Sequence, residues 1–206
     1  MVDDERSPTP EEVLRVIKEQ NSATVRLLGG NPMLVYVPWG VAWLLGFTAY
    51  FLHLGLSGEP YAPISEGQAL GVLMVGLIVA GAVSARGYAR SSKLVRGDSS
   101  ARGTMYGLAF FAGMMLMAII AGRISPHLPP GESGLLWAGM SMMVVATLYM
   151  AGGAIWLNWP MFFAGVWVAV VNGVGVVLGA AWHALLMAVL VGGGFIVFGL
   201  WLRRRG

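Results

Sequence analysis

The residues able to do chemistry are few and fall into three sets. Ser141, in Gly139-Met140-Ser141-Met142, and His183 are a hydroxyl and an imidazole, the pair from which a base-activated nucleophile for acyl transfer is built. His53, His127 and His183, with Glu59, Glu66 and Glu132, could together hold a divalent metal or sense pH. Met114, Met115 and Met117, with Met140, Met142, Met143 and Met150, offer thioethers of the kind that pass a soft metal such as Cu(I). Each set also has a plain reading. A Ser and a His occur in any helical bundle by chance. No tight spacing such as His-x-x-x-His is present, and methionine fills gaps in ordinary cores. The plain readings are the expectation: no catalytic residue, no metal and no cofactor.

The elements that carry these residues are set by composition. Of 206 residues, 57% are hydrophobic and 11% charged, against roughly 25% charged in soluble domains. None of the ten acidic residues lies inside a long apolar run, so the net charge of +3 belongs to tails and connections. Lys and Arg flank the hydrophobic segments, which is the pattern of membrane topology and not of nucleic-acid binding. With no cysteine there is no disulfide and no thiolate site. The start at Asp3-Asp4-Glu5, some way ahead of the first apolar run, is unlike a cleaved signal peptide, so the first span is expected to stay.

A helix needs about 20 apolar residues to cross ~30 Å of hydrocarbon. Six segments qualify: Met33–Leu54, Ala69–Ala89, Met105–Gly122, Gly134–Leu157, Met161–Ala181 and His183–Leu202. The last two are nearly continuous, but a single helix over them would be about twice the membrane thickness, so the chain must fold back at Gly179-Ala180-Ala181-Trp182-His183. The expected fold is all-α, a polytopic transmembrane bundle of about six spans over 33–202. A cytoplasmic tail over 1–32 precedes it and a basic C-terminus over 203–206 follows.

Orientation follows from Lys and Arg. Arg6, Arg15, Lys18 and Arg26 precede span one. Arg86, Arg90, Lys93, Arg96 and Arg102 lie between spans two and three, and Arg203, Arg204 and Arg205 end the chain. Arg123 alone falls on the other side. Twelve against one places both termini in the cytoplasm. The same topology puts all three histidines at outer ends. Trp39, Trp43, Trp156, Trp159 and Trp201 come near inner ends, and Trp137 and Trp182 near outer ones, as interfacial indoles should.

Thr9-Pro10-Glu11-Glu12 has the form of a capping box, and Val13, Val16, Ile17 and Leu27 follow at helical spacing until Gly29-Gly30 and Pro32. An amphipathic helix is therefore expected along the inner membrane surface or packed on the basic connection, with docking on a partner as the alternative. Gly67-x-x-x-Gly71, Gly103-x-x-x-Gly107 and Gly175-x-x-x-Gly179 have the spacing that brings helix backbones together in lipid. In span five Gly165, Ala169, Asn172, Val176 and Gly179 form one stripe, which should face protein, with Asn172 meeting a backbone carbonyl or polar side chain of a neighbouring helix.

Two resemblances bear on function. Ser141 on span four and His183 at the start of span six are placed similarly to the nucleophile and base of rhomboid-type intramembrane serine proteases. The second glycine of their Gly-x-Ser-Gly motif is missing here, and span two has no His or Asn for an oxyanion site. The segment Tyr36-Val37-Pro38-Trp39-Gly40-Val41-Ala42-Trp43-Leu44-Leu45-Gly46, with Leu148-Tyr149-Met150-Ala151-Gly152-Gly153-Ala154 and Gly192-Gly193-Gly194-Phe195, resembles uncharacterised actinobacterial six-span membrane proteins often labelled transporter or permease. That resemblance implies a bacterial plasma membrane, and the leading reading is a non-enzymatic, permease-like or accessory transport subunit. A separate ATPase or regulatory subunit would be its partner, and the oligomeric state is left open. The competing classes are the intramembrane protease and a membrane component of a signalling system. The absence of Asp, Glu, Lys and Arg from the apolar runs argues against a carrier built on buried carboxylates, and no Gly-x-x-x-x-Gly-Lys motif is present to bind ATP.

Overall fold

The computed structural model describes residues 9–12, 14–15, 32–92 and 98–205. At its start the Glu12 N–H donates to Thr9 Oγ1 at 3.3 Å and the Thr9 N–H to Glu12 Oε2 at 2.9 Å, which is the reciprocal capping box. Val13, Val16, Ile17, Leu27 and the Gly29-Gly30 stop lie outside the described residues.

The membrane domain is all helix, with α1 (Pro32–Leu54), α2 (Glu66–Ser92), α3 (Asp98–Ile124), α4 (Pro130–Ile155) and α5 (Trp159–Leu178). The sixth span is built from α6 (Ala180–Leu186), a π-helical segment (Met187–Gly193) and α7 (Gly194–Arg205). Among the described residues six helices are long and apolar enough to cross a bilayer, and this is a multi-pass membrane protein. α2, α3 and α4 begin ahead of the predicted spans, α2 at a polar cap. Before α2 the Ser65 N–H donates to Gln68 Oε1 and the Gln68 N–H to Ser65 Oγ, a second capping box. Between spans five and six the reversal needs one residue, Gly179, with φ +95°, a conformation that side-chain-bearing residues rarely adopt. The predicted five-residue turn is therefore too long, and His183 lies inside the sixth span instead of opening it.

The spans are neighbours in the order two, one, six, five, four, three. Spans one, four, five and six share the core, where Tyr36 lies 6.3 Å from Tyr149 and 5.7 Å from Phe195 between ring centroids. Spans two and three are flanks: 17% and 11% of their apolar windows are buried, against 28–39% for the others. Trp43 is not interfacial as expected, but buried in the core with its ring edge-on to Phe195 at 5.0 Å. Eleven residues into α1 it is about 16 Å from the helix start, too deep for a headgroup contact.

Close helix approach uses other glycines than the predicted pairs. A Cβ on Gly40 would sit 2.7 Å from the Gly192 carbonyl oxygen, and one on Gly165 would sit 2.7 Å from the Ala146 oxygen and Met150 nitrogen. Spans one and six, and spans four and five, thus touch backbone to backbone. At Gly67, Gly71, Gly103, Gly107 and Gly179 a Cβ would meet nothing within 4 Å, and of the three Gly-x-x-x-Gly pairs only Gly175 meets a neighbour. The first four sit on the exposed flanks, where spacing has no second helix to act on.

Candidate functional site

Polar groups in the bundle's interior are scarce, and one chain of them joins three spans. Asn172 of α5 is buried, and its Nδ2 donates to the Gly139 carbonyl of α4 at 2.9 Å. Its Oδ1 lies 2.9 Å from Nε2 of His183, which is 1% exposed on α6. The carbonyl of Gly139 can only accept, so the amide nitrogen must face it and Oδ1 must face the imidazole. Nε2 therefore carries the proton and donates. Phe47 of α1 stands edge-on to the imidazole with centroids 5.9 Å apart, which brings the fourth core span to the same point. Gly175 makes room for the ring: a Cβ there would lie 2.9 Å from His183 Cδ2.

Two further ties serve backbone carbonyls. Pro38 lies inside α1 and has no N–H, so the Leu34 carbonyl loses its helical donor. Ser84 of α2 supplies one, its hydroxyl donating to the Leu34 oxygen at 2.9 Å while receiving the Trp39 indole N–H at 3.0 Å. Trp167 of α5 donates Nε1–H to the Leu190 oxygen at 2.8 Å, within the π-helical segment where the regular carbonyl ladder is interrupted. The sequence holds a clue to the first tie, since a mid-span proline always orphans the carbonyl four residues earlier. Nothing in the sequence marks the second except the glycine run 192–194.

The candidate residues separate. Ser141 donates its hydroxyl to the Trp137 carbonyl of its own helix, the usual back-bond of a serine in a membrane helix, while His183 engages Asn172. The nucleophile and base are not brought into a hydrogen-bonded pair. His53 pairs through Nδ1 with the Ile64 carbonyl at 2.8 Å, and His127 lies exposed in the turn Ser125–His127. His53 and His183 thus have separate partners, and among the described residues no three His, Asp or Glu side chains gather as metal ligands. The methionines also scatter: Met117 and Met142 are buried, while Met115 and Met143 face outward at 47% and 52% exposure.

The span-five stripe is divided. Gly165 and Asn172 are buried and Ala169 is half-buried, but Val176 is 42% exposed and Gly179 faces open space. The buried face runs through Ala164, Val168, Val171 and Gly175 as well, so toward the C-terminal end of α5 it lies one residue earlier than the predicted stripe. At 3.6 residues per turn a stripe drawn in steps of four and three wanders around the helix, and a crossing neighbour follows a different line.

Compared with known proteins, the chain has no detectable match to any family model, curated protein or solved structure.

Proposed function

We propose that this chain is a non-catalytic membrane subunit of the permease-like or accessory transport kind, acting beside a partner that supplies the energy. The observation that carries the reading is that Ser141 bonds to its own helix while His183 binds Asn172, so the nucleophile and base that the sequence offers are not paired. Intramembrane catalysis needs a polar group held ready for substrate, and here the deepest ones bind helix to helix. The apolar runs also lack the charges that mark ion-coupled carriers, so driving energy comes from elsewhere. Spans two and three, with broad exposed faces and the Arg-rich connection between them, offer surface for such a partner. The resemblance to six-span proteins labelled permease points the same way. Its Lys and Arg asymmetry supports both termini in the cytoplasm, and the same resemblance implies a bacterial plasma membrane.

Gentle purification from native membranes, followed by identification of stoichiometric co-purifying chains, tests this. A cytoplasmic ATPase or a transport subunit is the expected companion. A DNA-binding or other signalling regulator in its place would overturn the transport reading in favour of signalling.

A further inference from the structure

Between α5 and the sixth span lies an open groove of about 610 Å³, within the range of ~300–1,000 Å³ typical of ligand sites. Phe163 and Trp167 form one wall; Val197, Phe198 and Trp201 form the other, and the lining is almost wholly apolar. Two features keep it open. Gly193, at the end of the π-helical segment, has nothing within 4 Å of the side chain it lacks, and Trp167 is held against the opposite helix by its bond to the Leu190 oxygen. At the basic end the Phe198 and Trp201 rings stack, with centroids 6.0 Å apart and planes 18° from parallel.

We infer that this groove holds one acyl chain of an anionic phospholipid, whose phosphate is met by Arg204. The length agrees: from Val189 to Trp201 the groove runs about 18 Å at 1.5 Å per residue, close to one leaflet, half of a ~30 Å hydrocarbon core. The charge agrees as well. Val197 and Trp201 line the groove, and Arg204, exposed about one turn beyond Trp201, lies seven residues after Val197 and so on nearly the same line of the helix. Arg203 points elsewhere, toward Met33 Sδ of α1 at 2.9 Å. An apolar slot of leaflet depth that ends at a guanidinium matches a phospholipid with net negative charge, since guanidinium pairs bidentately with phosphate and a zwitterionic headgroup offers a weaker field.

Native mass spectrometry of the full chain in detergent, with added phosphatidylglycerol or phosphatidylcholine of identical chains, tests this. The unmodified protein should retain one phosphatidylglycerol and prefer it about fivefold. Arg204→Gln, at an exposed position, should remove that preference. Gly193→Leu and Val197→Trp fill the groove and should lose the adduct, while Gly107→Leu, in open space on α3, should keep it. Circular dichroism identifies any variant that fails to fold, and Arg204→Gln then decides. Equal retention of the two lipids by the unmodified protein would overturn the inference, as would an unchanged preference in Arg204→Gln. So would a dimer abolished by Gly193→Leu in place of a lipid adduct, which would assign the groove to a second copy.

Discussion

The hydroxyl of Ser84 reaches across from α2 to the carbonyl of Leu34, the acceptor that Pro38 deprives of its donor. The carbonyl that a proline orphans in one span is therefore served by a hydroxyl fifty residues later in the chain. Ser84→Ala should lower stability by about 1–3 kcal/mol, the cost of an unsatisfied buried carbonyl. In a Pro38→Ala background the helix supplies its own N–H, so the same substitution should cost clearly less. Chemical unfolding in detergent of both single variants and the double variant reads the difference. Equal costs in the two backgrounds would mean that Ser84 does not compensate Pro38.

Reporter fusions after Gly58, Asp98, Glu132 and Gly206 should read outside, inside, outside and inside, as the distribution of Lys and Arg requires. An externally active fusion at Gly206 would remove the assignment of both termini to the cytoplasm.

Ser141→Ala should leave stability and any cellular phenotype unchanged, because the hydroxyl bonds only within its own helix turn. A serine-directed activity probe should not label the protein. Labelling that disappears in Ser141→Ala would put an intramembrane hydrolase in place of the subunit reading.

Gly165 lies against the backbone of α4, whereas Val170 is 57% exposed on the same helix. Gly165→Leu must push α4 and α5 apart and should lower the thermal aggregation midpoint strongly. Val170→Leu should be nearly silent. Comparable losses in the two variants would place the wrong face of span five against the bundle.

The spans and their number were legible because hydrophobicity over ~20 residues is a local property. Thr9 and Glu12 were legible for the same reason, since a capping box is written within four residues. Asn172 was legible as a residue needing a partner, but not which partner. Gly139 and His183 come to it from two other helices, and their meeting depends on crossing angles that no single segment encodes. Trp43 shows the same limit: an indole near a predicted end reads as interfacial until the depth of its helix start is known. The glycine pairs failed for a further reason. Gly103 and Gly107 have the right spacing but lie on a flank, and spacing carries no information about whether a second helix is there.

Whether the bond between Asn172 and His183 holds the core together is the point on which the helix-to-helix role of the buried polar groups rests most directly. Asn172→Leu, His183→Phe and the double variant form a cycle whose coupling can be measured by unfolding in detergent. The double variant should lose less than the two single losses combined, with a coupling of about 0.6–2 kcal/mol, as for interhelical hydrogen bonds in membranes. Strictly additive losses would contradict that role, as would a loss of function in Asn172→Leu at unchanged stability.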